Sequence, residues 1–211
     1  MADLEFYFDP VCPFAWITSR WVKEVQALRD YDVTWKFISL KMINEDRTED
    51  WYTPEYRAAH MAGLFAHRVC HEVQQHEGNA AIDALYTALG TAFHLQQRRP
   101  DINADPVAFM AEMLTVAGLP ASYAAEALVD THDDAIRAST EEAFSRTGKD
   151  VGTPILTYSP GTAEEASLFG PVISKAPRGD EALRLWDAVE VLARSGVAEI
   201  KRSLRDKLDF T

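Results

Sequence analysis

The chain has 211 residues, of which 47% are hydrophobic and 26% charged, and its formal charge is −12. That length holds one large domain, or a smaller domain with a sizeable insertion, and the charged fraction is ordinary for a folded protein rather than a disordered one. A surface this acidic repels nucleic acid and anionic lipid, so neither is expected as a partner.

The first residues, Met1-Ala2-Asp3-Leu4-Glu5, lack the basic start and apolar run of a secretion signal, and no apolar stretch approaches the roughly 20 residues needed to span a bilayer. Only two cysteines are present, Cys12 and Cys70, so disulfides are not the expected source of stability. A reducing, cytoplasmic compartment fits these features best.

Leu4, Phe6 and Phe8 alternate with Glu5 and Tyr7, which predicts a strand that Asp9-Pro10 ends. From Pro13 the period changes: Phe14, Ile17, Trp21, Val25 and Leu28 recur at spacings of three and four, predicting an amphipathic helix to about residue 29. Pro13 suits its first turn, where a missing N–H costs nothing. Residues 33–40 read as a second strand, completing a βαβ unit whose crossover should be right-handed.

From about 44 to 149 no strand is convincing. Helices are expected at about 54–76, 80–96, 105–117 and 122–147, with Thr53, Asn79 and Asp105 as candidate caps and Gly118-Leu119-Pro120 as a break. Short strands at 153–158 and 167–169 then suggest a hairpin, followed by a helix at 179–194 and a last basic helix at about 198–207. The two strand-rich ends must share a sheet, since neither buries its apolar face alone. The expected architecture is therefore α/β, in the order β-α-β … β-β-α, with a large all-helical insertion. Residues 1–43 and 150–211 would form the first unit and 44–149 the second.

Cys12 falls between a strand end and a helix start. Unpaired N–H groups and the helix dipole place partial positive charge there, which favours thiolate over thiol and predicts a pKa below the ordinary value of about 8.5. A thiolate is the species that attacks a disulfide or an electrophile. Cys70 reads as a helix residue facing its neighbours. It lies between His67 and His71 at i, i+4, but its charged neighbours suggest an exposed helix with too few ligands for zinc, so no metal is expected. No G-x-G-x-x-G segment is present, so no tightly bound flavin or nucleotide is expected either.

The segment Asp9-Pro10-Val11-Cys12-Pro13-Phe14-Ala15-Trp16 resembles the active-site stretch of DsbA-like proteins. Continued through Ile17-Thr18-Ser19-Arg20-Trp21, it is similar to the mycothiol-dependent nitroreductase family of actinobacteria. The same resemblance runs through Ser39-Leu40, Asn44-Glu45, Pro54-Glu55-Tyr56-Arg57, and Leu85-Tyr86-Thr87-Ala88-Leu89-Gly90 with His94. It continues in Asp150-Val151-Gly152-Thr153-Pro154, Phe169-Gly170-Pro171-Val172 and Pro177-Arg178-Gly179, covering nearly the whole chain.

The resemblance implies a thioredoxin-like fold, a cis proline at Pro154 facing Cys12, with the Thr153 backbone turned to an incoming ligand, and a thiol-binding cleft lined by Pro13, Phe14, Trp16, Asn44 and Tyr56, with His94 close by. It also implies mycothiol as reducing co-substrate. Many members carry Cys-x-x-Cys, whereas this chain has Ala15 at the second position. An internal disulfide cannot close there, so the oxidised form is expected to be a mixed disulfide or a sulfenic acid. The expected activity is a monothiol thiol-disulfide oxidoreductase, with nitro-type electrophiles among the candidate substrates. A kappa-class-like thiol transferase or isomerase without net redox change, and a non-catalytic binding protein, are the alternatives.

Overall fold

The computed structural model describes residues 2–210; Met1 and Thr211, which close the two outer segments of the expected division, lie outside them. Among the described residues four strands build one sheet: β1 (Leu4–Phe8), β2 (Val33–Phe37), β3 (Ile155–Tyr158) and β4 (Ala166–Phe169). Their order is β2-β1-β3-β4, with β1 parallel to β2 and antiparallel to β3, and β3 antiparallel to β4. Both ends of the chain thus contribute to one sheet. The parallel pair needs a crossover, which helix α1 (Pro13–Leu28) supplies.

The alternation in β1 sends Leu4, Phe6 and Phe8 to one face, where they join Ile17, Trp21 and Val25 of α1 in the main core. Trp21 meets Trp186 of helix α8 (Gly179–Arg194) at 5.1 Å between centroids, and its indole N–H donates to the Ala182 carbonyl at 2.9 Å. A wholly buried tryptophan of this size contributes on the order of 4–6 kcal/mol of gross transfer free energy, and the bond keeps its polar atom satisfied.

The other face of β1 is covered too. Tyr7 is fully buried with Ile38, Ile155 and Ala143, the last from helix α7 (Asp133–Thr147). Arg146 of α7 bonds the Tyr7 hydroxyl at 2.7 Å and pairs with Glu5. Burial, then the Glu5 charge, push the Tyr7 phenol far above its ordinary range.

Between β2 and β3 run α2 (Leu40–Ile43), α3 (Pro54–Glu77), α4 (Asn79–Gly90), α5 (Arg99–Ala104), α6 (Pro106–Val116) and α7. Thr53 and Asp105 cap α3 and α6 by accepting from the Tyr56 and Ala108 amides. Asn79 is not a cap. Its side chain accepts from Trp35 N at 2.8 Å and donates to Val33 O at 2.6 Å, satisfying the open edge of β2.

The helix expected at 122–147 is broken into two 3₁₀ segments, Ala121–Leu128 and Asp130–His132, before α7. At the break Arg68 donates to the Ala127 carbonyl and pairs with both Asp133 oxygens. The basic helix expected at 198–207 does not form; the chain there has no regular secondary structure. Ile200 and Leu204 stay 74% and 83% exposed, so no apolar face is buried, and Lys201 and Arg205 would repel at i, i+4.

Candidate active site

The turn after β1 is organised by a fully buried carboxylate. Asp9 Oδ1 accepts from the Val11 amide at 3.0 Å and Oδ2 from the Leu40 amide at 2.8 Å, while Cys12 N donates to the Asp9 carbonyl at 3.0 Å. The chain therefore leaves the strand in a tight loop and enters α1 at Pro13, with Cys12 as its N-cap. The sulfur takes the place a serine or aspartate oxygen commonly fills, accepting from the Ala15 amide at 3.4 Å. On its other side the thiol donates to the Thr153 carbonyl at 3.4 Å. Thr153 is fixed in turn by its hydroxyl, which donates to Tyr7 O at 3.1 Å, and the Thr153–Pro154 bond is cis.

Cys12 is 6% exposed. Burial pushes its thiol up to about 12, the Asp9 charge adds to that, and the Ala15 and Phe14 amides pull the other way. This overturns the thiolate expected from the helix start. The charge at a helix terminus acts, but excluding water from a sulfur anion costs more. In this arrangement Cys12 is a thiol held in the geometry a thiolate would use.

A stacked wall stands beside the cysteine. His94, in a π-helical turn (Thr91–Leu95), donates from Nε2 to the Pro10 carbonyl at 3.0 Å. Burial lowers its pKa to about 4, opposed by the Pro10 bond, so the ring is neutral at pH 7. The Trp16 ring lies near-parallel to it at 5.9 Å, and the Arg20 guanidinium sits 4.1 Å from the Trp16 ring centroid. The Trp16 indole N–H is buried with no hydrogen-bond partner among the described residues. Gly90 makes room for this ring: a Cβ there would overlap the Trp16 ring atoms. Phe14 is half-buried, with the Arg205 guanidinium 4.9 Å from its ring centroid.

Cys12, Pro13, Phe14, Trp16, His94, Thr153 and Pro154 thus gather at one end of the sheet. Asn44 and Tyr56 belong to a different group of contacts. Asn44 is buried and donates to Leu40 O at 2.9 Å, closing α2. Tyr56 is 53% exposed and meets Trp51 and His60 edge-on, while His60 Nδ1 lies 3.1 Å from the Tyr52 hydroxyl.

Cys70 is fully buried and burial pushes its thiol well up; the exposed helix expected around it is in fact packed. His67 beside it is buried as well and donates to the carbonyl of Phe8, the last residue of β1. His71 instead pairs with His132 at 2.9 Å. Among the described residues no group of three or more His, Cys, Asp or Glu side chains is placed to hold a metal ion, and no helix is long and apolar enough to cross a membrane. Sequence reasoning missed Asp9 as the organiser of the turn, His60, and the two helix glycines that press on the site, Gly63 and Gly90. Glycines inside helical patterns are themselves a signal of close approach.

The sheet order, the cysteine at the N-cap of the first helix and the cis proline facing it define a DsbA-like thioredoxin-fold protein. The probable DsbA oxidoreductase SCO1869 from Streptomyces coelicolor superposes with a TM-score of 0.60 at 17% identity, over 96% of this chain and 94% of its own. A solved structure from Nitrosomonas europaea gives 0.58 at 19% identity, over 92% of this chain and 98% of its own. Residues 11–202 match the model of the Rv2466c-like family, described as mycothiol-dependent nitroreductase Rv2466c, and the chain belongs to that family. The uncharacterized protein Rv2286c of Mycobacterium tuberculosis is 30% identical over 197 residues, 92% of this chain and 78% of that protein.

Proposed function

We propose that the protein is a monothiol thiol-disulfide oxidoreductase that uses mycothiol, with Cys12 as nucleophile. One observation carries this: the Cys12 sulfur is bonded by the Ala15 amide at a helix start and faces Thr153, while Ala15 leaves no neighbouring thiol to close a disulfide. Family membership supports mycothiol as the partner thiol. A cytoplasmic setting goes with a reduced thiol pool of this kind.

The cycle has two exchanges. The Cys12 thiolate attacks a mixed disulfide between substrate and mycothiol; a Cys12–mycothiol disulfide forms and the substrate leaves as thiolate. A second mycothiol thiolate then attacks the mycothiol sulfur, forming mycothiol disulfide and returning Cys12. For a nitro substrate the same two electrons and two protons, drawn from two mycothiols, would give a nitroso product, water and mycothiol disulfide.

Trp16, His94 and Phe14 would line the thiol site next to Cys12, Pro13 and cis Pro154, with the Thr153 backbone facing the incoming sulfur. Asn44 and Tyr56 would form a further wall. In this scheme residues 1–43 and 150–211 supply the thiol chemistry, and 44–149 closes over it. Ala15 also favours a second reading, thiol transfer or isomerisation of the kappa-class type, in which no disulfide is needed.

Incubation of the reduced protein with mycothiol disulfide tests the proposal. The expected result is one mycothiol adduct, on the Cys12 peptide, released by reduced mycothiol and missing in Cys12→Ser. Absence of any adduct, with thioether or isomer products still formed, would transfer the assignment to the non-redox reading.

A further inference from the structure

After α8 ends at Arg194, the chain returns across the site without forming secondary structure. Its last described residues touch both flanks of the catalytic turn. Phe210 stacks on His94, 5.6 Å between centroids at 19°, extending the Trp16–His94 stack by one ring, and His94 holds Pro10, two residues before Cys12. Arg205 lies over Phe14, two residues after Cys12. Leu208 and Phe210 are half-buried against the core cluster that contains Cys12.

Asp209 donates its amide to Ser174 O at 2.8 Å and its carboxylate pairs with Lys175 at 2.8 Å. A stacked ring, a cation over an aromatic face and a surface ion pair are each weak in water. Upstream of them Ile200 and Leu204 lie in solvent, so the segment is held near its end and not along its length.

We propose that residues 197–210 are an intramolecular strap which occupies the ring-stacking face of His94 and shields Cys12, and which must lift before a thiol or substrate reaches the sulfur. Two properties of the site then fit together. The capping amides that would hold a thiolate are in place, yet the sulfur is 6% exposed. Lifting the strap restores water and uncovers the face of His94. A flat ring of an incoming ligand would compete with Phe210 for that face, so ligand binding and exposure of the nucleophile are coupled.

The test reads the thiol directly. Iodoacetamide forms a thioether at Cys12 with loss of iodide, and its rate at pH 7.5 is measured by mass for the wild type, a deletion of residues 197–211, and Phe210→Ala. If opening lowers the thiol pKa by about two, the thiolate rises about 100-fold, and its lower nucleophilicity leaves a net gain of about tenfold. Both variants should react at least about tenfold faster than wild type, and a synthetic peptide of residues 197–211 should slow the deletion variant again. Equal rates in all three proteins would overturn the strap, and Phe210→Ala keeps the test alive if the deletion fails to fold. A faster reaction with no mycothiol adduct on Cys12 would leave the strap standing and reject the mycothiol cycle. Adduct formation at the same rate with and without the strap would do the reverse.

Discussion

Gly63, in the middle of α3, is packed directly against the carboxylate of Asp9, three residues before Cys12; a Cβ at position 63 would overlap Asp9 Oδ1. The helical segment between β2 and β3 therefore rests on the group that shapes the catalytic turn. Asp9 cannot yield easily, because its two oxygens are committed to the Val11 and Leu40 amides.

Gly63→Ala should consequently act on the cysteine although it lies in another element. Forcing a methyl group into this contact must move α3 or break an Asp9 bond, at a cost of about 1–3 kcal/mol, less the few tenths to 1 kcal/mol that alanine gains in a helix. Urea unfolding should show a lower midpoint. The alkylation rate of Cys12 should change with it, whereas a glycine-to-alanine change that affected stability alone would leave that rate alone.

Asp9→Asn separates the charge of this residue from its shape. The amide is nearly isosteric but can accept through one atom only, so one of the two backbone amides loses its partner. The expected cost is about 1–3 kcal/mol, since both bonds end on a charged group and are buried. The Asp9 charge also opposes thiolate formation at Cys12. Its removal should shift the alkylation pH profile of Cys12 to lower pH. A profile that stays in place while stability falls would show that Asp9 is a purely structural residue.

Gly90→Ala addresses the aromatic wall. The added Cβ would overlap the Trp16 ring, which is 3% exposed and stacked on His94, so the indole must rotate or α4 must shift. A loss of about 1–3 kcal/mol is expected, as for other overpacked cores. Tryptophan fluorescence should change as well, with Trp21, Trp35 and Trp186 providing a constant background elsewhere in the core. Wild-type stability and spectrum in this variant would mean that the contact has slack.

Much of the fold and part of this site were legible in the residues. The period-two run of β1, the change of period at Pro13 and the two short β-like runs at 153–158 and 167–169 each follow from local rules, and the structure has the elements they predict. The Cys12 environment was half legible: its position at a helix start is local, but its burial involves Thr153, far away in the chain. The pKa direction was therefore misjudged. The basic pattern at 198–207 looked helical because spacing alone does not show that no apolar surface awaits it. Asn79 resembled a cap because a polar side chain after a glycine suits one, yet the open edge of β2 claimed both ends of its amide.

The acid response of the protein should report on His94. An unfolded imidazole takes up its proton near pH 6.5, whereas burial keeps the folded ring neutral until about pH 4. Between these values the unfolded chain binds the extra proton, so acid favours unfolding. About 3 kcal/mol of stability is present above pH 6.5 and is lost progressively as the pH falls towards about 4. His60 and His67, whose pKa values burial also lowers, act in the same direction. Replacing His94 by Phe keeps a flat ring between Trp16 and Phe210 and removes the titrating group, at the expense of the bond to Pro10. The variant should be less stable than wild type at pH 7.5 but lose less stability on going to pH 4.5, and urea unfolding at the two pH values measures both. If the two proteins lose the same amount, His94 takes up its proton without opening the structure around it.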